Sequence, residues 1–177
     1  TTGTDRLDFS AVTVPLTFRI GVDGQVTVTD GVNTLSYAYL SLQEIVGGSG
    51  DNTFVFEDGV YFDGSIDGGA GSSNALDFSA YTTDVAVDLT AGTATGTAGI
   101  ANFHNLLGGA GNDTLTGDAN ANLIEGHDGD DLIAGGAGND ILSGGLGDDT
   151  YILAPSGGID TIAENAGEGF DTLDYSA

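Results

Sequence analysis

Five polar side chains stand nine residues apart: Asp113, Asn122, Asp131, Asp140 and Asp149. Each follows a turn that opens on glycine and precedes, by two places, an apolar residue: Leu115, Ile124, Ile133, Leu142 or Tyr151. A glycine turn curls tightly and leaves carbonyl oxygens free to point at one spot. Carboxylates delivered to that spot at a fixed interval make an oxygen cage, and an oxygen cage holds a hard cation.

The elements that position these residues follow from the period. From Gly108 the chain reads as five nonamers, GGAGNDTLT, GDANANLIE, GHDGDDLIA, GGAGNDILS and GGLGDDTYI. The last three residues of each, such as Thr114-Leu115-Thr116, are too few for a helix and enough for a short strand whose middle side chain faces inward. One nonamer is a turn plus a strand, and two make one coil of a flattened solenoid. Stacked coils place Leu115 under Ile133 and Tyr151, and Ile124 under Leu142, with strands about 4.8 Å apart. The same stacking brings Asp113 to Asp131, Asn122 to Asp140 and Asp131 to Asp149. Carboxylates so close repel unless a dication lies between them. Calcium suits the gap because it accepts six to eight oxygens at about 2.3 to 2.6 Å and mixes carboxylates with carbonyls, whereas magnesium parts reluctantly with its water.

This tandem GGxGxDxUx pattern resembles the RTX (repeats-in-toxin, haemolysin-type) calcium-binding β-roll family. The resemblance implies Ca2+ held by sixth-place residues of turns one coil apart. It adds carbonyls from the second and fourth places of one turn and the first and third of the other. Carried over, Gly109, Gly111 and Asp113 face Gly126, Asp128 and Asp131. Asp118, Asn120 and Asn122 face Gly135, Ala137 and Asp140. His127, Gly129 and Asp131 face Gly144, Leu146 and Asp149. About three ions are expected. Asp131 serves two pairs, so Asp131→Ala should do most harm; Asn122 brings no charge, so Asn122→Ala should do least. The nonamer at 117 departs from the pattern through Asp118, Asn120 and Asn122, and that at 126 through His127.

Composition agrees with a cation-bound solenoid. The 177 residues include 31 glycines, far above the usual share of about 7%. Asp and Glu number 27 against Arg6 and Arg19, with no Lys, for a net charge of −25. Such a chain repels nucleic acid and, without cations, itself. With 40% hydrophobic residues in short regular runs it is not a solvated tail. There is no Cys, so neither disulfides nor thiolate metal sites contribute. No apolar run approaches the roughly 18 residues of a membrane span, and no secretory signal opens the chain. It reads as an internal piece of something longer.

A longer repeat frames the block: LDFSA at 7 to 11 and at 76 to 80, and LDYSA at 173 to 177. Between them, VTVPLTFRIGVDGQVTVTDG and VAVDLTAGTATG read as strands and turns. Isolated glycine turns follow. GGSGDNTFV puts Asn52 at the sixth place, and GGAGSSNAL, from Gly68, puts Ser73 there, which argues against calcium at either. GIDTI at 158 and GFDTL at 169 suggest coils with longer corners. His104 and His127, with no GxSxG or HExxH beside them, read as exposed turn residues. The threonines at 90 to 97 lack a sustained repeat and read as solvated strand and turn. The aromatics read as core or coil-capping residues.

The expected architecture is all-β: a right-handed parallel β-roll or solenoid, with an irregular β-rich region at 1–107, calcium-binding nonapeptides at 108–152 and a continuation at 153–177. The expected role is structural and non-catalytic, in a large secreted or surface protein whose partners are calcium ions and neighbouring repeats, without nucleic acid or membrane insertion. The resemblance further implies bacterial type I secretion. An adhesive or carbohydrate-binding module, or a secretion and stability module of a secreted enzyme, is the alternative.

Overall fold

The computed structural model describes residues 5–38, 41–155, 157–165 and 167–176, so the last residue of the third LDYSA motif, Ala177, lies outside the described residues. Among these there is no helix, and hence none long and apolar enough to cross a membrane. The strands form three sheets. The largest has nine, in the order Thr161–Ile162, Ile141–Leu146, Leu123–Asp128, Asn105–Leu107, Ala75–Asp77, Thr53–Phe56, Thr17–Ile20, Gln25–Thr29 and Thr34–Ala38. Six form the second: Thr93–Ala94, Ala86–Asp88, Thr114–Thr116, Leu132–Ala134, Thr150–Ile152 and Thr172–Asp174. The third has four: Asp5–Asp8, Leu42–Val46, Phe62–Asp67 and Thr97–Ala101.

Within 108–152 the register is the one the period dictates. Leu115 pairs with Ile133 and Ile133 with Tyr151 in the six-stranded sheet, while Ile124 pairs with Leu142 in the nine-stranded sheet. All five eighth-place side chains have no solvent exposure and join one hydrophobic cluster. A fully buried side chain of this size contributes about 1.5–3 kcal/mol. Two such residues per 18-residue coil make a thin core, set against backbone ordering at about 1–2 kcal/mol per residue.

The amino-terminal region is packed differently. Thr17–Ile20, Gln25–Thr29 and Thr34–Ala38 form an antiparallel meander, departing from a purely parallel roll. Tight turns at Gly24 and Gly31, both with positive φ, reverse the chain there instead of carrying it around a coil. Ala86–Asp88 and Thr93–Ala94 are likewise antiparallel. The other pairings are parallel. Phe18 stacks on Phe54 at 4.2 Å and Phe56 on Phe78 at 4.6 Å, giving this end stacked aromatic pairs, whereas the nonamers contribute one aromatic side chain, Tyr151, to the core. Tyr37, Tyr61, Phe170 and Tyr175, by contrast, are exposed and lie outside the core. Both arginines are also here, Arg6 paired with Glu44 at 3.0 Å and Arg19 with Glu57.

Candidate metal centre

Strand stacking turns the nine-residue spacing into two polar ladders on the inner side of the turns. In the ladder beside the six-stranded sheet, Asp113 Oδ1 accepts from Val85 N, Asp131 Oδ1 from Asp113 N and Asp149 Oδ1 from Asp131 N, each at 2.7 Å. Beside the nine-stranded sheet, Asp140 Oδ1 accepts from Asn122 N at 2.9 Å. Each inner carboxylate therefore uses one oxygen to hold the amide of the preceding coil. Its other oxygen faces the turn.

Those second oxygens define the site. Asp131 Oδ2, Asp140 Oδ2 and Asp149 Oδ2 are buried and have no hydrogen-bond partner, on side chains with at most 2% exposure. Asp113 Oδ2 accepts from Gly109 N at 2.7 Å. First-place glycines keep the space open. A Cβ on Gly126 would overlap Asp131 Oδ2 and lie 2.7 Å from Gly144 O, so that the carboxylate of one turn and the first-place carbonyl of the next converge on one point. At Gly108 the converging oxygens are Asp113 Oδ2 and Gly126 O; at Gly117 they are Asn122 Oδ1 and Gly135 O. The first-place glycines supply room. In the last three nonamers the second and fourth places, Gly136 and Gly138 among them, supply the positive φ of the turn.

The remaining residues of the three expected sets are placed as follows. Gly109 O accepts from Asp128 N at 3.1 Å, Asp118 O from Ala137 N at 2.8 Å and Leu146 O from Gly129 N at 2.7 Å. These bonds zip successive turns together, and each carbonyl keeps a second lone pair. Gly111 O faces Gly129 of the next coil. Asp128 is exposed, so its side chain stays outside the cage. The structure thus brings the facing turns together. In the second set, Asp118 and Asn120 are engaged with each other: Asp118 accepts from both Asn120 N and Asn120 Nδ2 at 2.8 Å.

Two expectations change here. Asn122 is buried, accepts from Asp118 N at 2.9 Å and donates through Nδ2 to His104 O at 2.9 Å. Asn122→Ala would leave buried groups unpaired at about 1–3 kcal/mol, so it is not the mildest substitution for stability. His104 and His127 are half-buried instead of exposed, each with one buried ring nitrogen lacking a partner, Nδ1 and Nε2 respectively. His127 holds the second-place turn conformation, φ 84°, despite its side chain.

The spacing rule did not single out an outer ladder and an extension. At the fifth place Asn112 Oδ1 accepts from Asp130 N at 3.0 Å and Asp130 Oδ1 from Asp148 N at 2.8 Å, running opposite to the inner ladder. The Asn-Asp and Asp-Asp doublets in the nonamers carried that signal. Beyond the last nonamer, Asp160 Oδ1 accepts from Asp140 N and Asp171 Oδ1 from Asp149 N, both at 3.1 Å. The Asp of GIDTI and of GFDTL marks them, with coil steps of 20 and 22 residues replacing 18.

Burial dominates the electrostatics. It raises Asp131 from 3.8 to about 7, with further increases from the charges of Asp113, Asp149 and Asp130. Asp113, Asp140 and Asp149 shift upward for the same first reason. Ionising these groups in the metal-free fold is unfavourable because burial strips the charges of water, and no Lys or Arg between 108 and 152 offsets the nine acids there. The folded state holds protons that the unfolded chain has released between about pH 4 and 7, so stability falls as pH rises through that window. In chelator, melting of this block should therefore shift to higher temperature on acidification from pH 8 to 5. In calcium the same change should lower it, because protons compete for the carboxylates. Thermal scans followed by circular dichroism at both pH values would check the opposite signs.

The donor set fits calcium. Buried carboxylate oxygens without partners converge with carbonyls, while among the described residues no group of three or more His, Asp or Glu side chains gathers into a metal site of its own. Such a site suits a cation that accepts many oxygens, neutral and charged, in irregular geometry.

Comparison with known families agrees with this geometry. The family model for the RTX calcium-binding nonapeptide repeat (4 copies) matches residues 105–133 and 116–151, less than half of the chain. No curated protein matches the sequence. Residues 105–151 are thus a block of RTX calcium-binding nonapeptide repeats set within an all-β, largely parallel fold.

Proposed function

We propose that the chain is a calcium-hardened β-roll segment of a larger secreted or surface protein, with a structural, non-catalytic role. One observation carries this reading: Asp131, Asp140 and Asp149 each bury a carboxylate oxygen that nothing in the fold satisfies. Asp113 with Asp131, Asn122 with Asp140 and Asp131 with Asp149 would hold the ions, assisted by carbonyls of the facing turns. Bound calcium supplies positive charge that cancels the repulsion between coils. The chain's own residues do the rest. Oδ1 of each inner carboxylate fixes the stacking of neighbouring coils, and the eighth-place side chains close the core beneath.

Because the facing turns meet only in the folded chain, ion binding and folding are one equilibrium. That coupling fits export: a segment loose where calcium is scarce and rigid where it is plentiful. An adhesive role would be favoured by a row of exposed aromatics. Among the described residues the exposed tyrosines and phenylalanines are spread over three sheets: Tyr37 lies on the edge strand of the nine-stranded sheet, Tyr61 precedes Phe62–Asp67 of the four-stranded sheet, and Phe170 and Tyr175 flank the last strand of the six-stranded sheet.

Calorimetric titration is the direct test. Calcium should bind at about three ions per chain, and magnesium far more weakly because of its strict octahedral demand. Equal responses to the two ions would contradict the proposal.

A further inference from the structure

The ladder along the nine-stranded sheet does not begin with the nonamers. Strand registers place Asn52 beside Asn74, Asn74 beside His104, His104 beside Asn122 and Asn122 beside Asp140. Asn74, not Ser73, is the sixth-place equivalent. Asn52 N donates to Asn74 Oδ1 at 2.8 Å, as Asn122 N does to Asp140 Oδ1, and one extra serine is absorbed in the turn before Asn74.

Both asparagines are fully buried. Each uses Oδ1 as the aspartates do: Asn52 Oδ1 accepts from Leu16 N at 3.0 Å and Asn74 Oδ1 from Asn52 N. The other half of the side chain differs. Asn52 Nδ2 donates to Gly48 O at 3.1 Å, Gly50 O at 2.7 Å and Gly68 O at 2.9 Å. Asn74 Nδ2 donates to Gly69 O at 3.3 Å, Gly71 O at 3.2 Å and Asn102 O at 2.9 Å. These carbonyls belong to the second and fourth places of the residue's own turn and the first place of the next. In the nonamer block the first-place carbonyls Gly126 O and Gly144 O instead converge with carboxylate oxygens, Asp113 Oδ2 and Asp131 Oδ2. The amide orientation is fixed by its partners, since Oδ1 faces N–H groups and Nδ2 faces only oxygens within its turns.

We infer that the side-chain amides of Asn52 and Asn74 take the place of the cation, closing two cages of the nonamer type without metal. An NH2 group carries the partial positive charge that carbonyl oxygens require and brings no net charge to repel the next coil. The amino-terminal coils are then metal-independent. Their strands Asn105–Leu107 and Ala86–Asp88 pair with Leu123–Asp128 and Thr114–Thr116 of the nonamer block, and so present ready edges on which the calcium-dependent coils can assemble.

The inference makes Asn52→Asp a change of cofactor requirement. The substitution keeps Oδ1 for Leu16 N and replaces a donor with an acceptor facing three carbonyls. In calcium the variant should bind one ion more per chain than the parent protein. In chelator its amino-terminal coils should lose hydrogen-exchange protection that calcium restores. Asn52→Ala should lose protection equally in calcium and in chelator and gain no ion. An Asn52→Asp variant with the parent's ion count, or one that fails to fold even in calcium, overturns the inference. The parent protein separates this result from the reading on which it rests: if the parent binds no calcium the proposed function fails, whereas a calcium-binding parent with an unchanged variant fails the inference alone.

Discussion

Asp131→Asn should raise the thermal stability of the nonamer block in chelator and lower it in calcium. The substitution keeps the Oδ1 acceptor for Asp113 N and removes a charge whose burial raises its pKa to about 7. Without metal, that charge is a liability at neutral pH, so the variant gains. With calcium, the same carboxylate is shared by the pairs with Asp113 and with Asp149, so the variant should lose two of about three ions. At free calcium about 100-fold above Kd each site adds about 2.7 kcal/mol, and losing two removes about 5 kcal/mol. Asp131→Ala also strands the Asp113 amide and should be worse in both conditions. Calcium titration and paired thermal melts would test this, and a stability change of the same sign in both media would refute the shared-ligand scheme.

Chelation of the unaltered protein has the other large effect. Three dications would bring six positive charges to a block that carries nine acids and no Lys or Arg. The core offers little compensation, because Leu115, Ile124, Ile133, Leu142 and Tyr151 are its only eighth-place residues. Removing calcium should lower the melting temperature of this block by tens of degrees, with a logarithmic dependence on free calcium as linkage requires. The amino-terminal coils differ. Their aromatic stacks, their arginine pairs and the Asn52 and Asn74 amides owe nothing to metal, so the loss should stop near the first nonamer.

The nonamer block was legible because one period sets everything at once. Nine residues fix which side chain points inward, which coil lies above, and which carboxylates meet, so Leu115, Ile133 and Tyr151 could be stacked from spacing alone. Where that period breaks, spacing stops informing. The antiparallel meander from Thr17 to Ala38 arises from hairpin turns and carries no coil-length repeat. One inserted serine hides the equivalence of Asn74 with Asn52, because a glycine turn absorbs it without moving the strand that follows. Asp160 and Asp171 continue the ladders across longer coils, which a fixed interval of nine cannot reach. The asparagines were visible as departures from the carboxylate rule. That their amides point at the cage carbonyls depends on backbone placement and could not be read from residue types.

Hydrogen exchange resolved by peptide, in millimolar calcium and in chelator, distinguishes a block that folds around calcium from a roll that stands without it. Residues 108–152 should lose their protection in chelator and regain it with calcium but not with equal magnesium, while Thr17–Asp77 exchanges alike in both. Equal protection of 108–152 with and without calcium would contradict it, and the buried carboxylates would then belong to a roll that stands without metal.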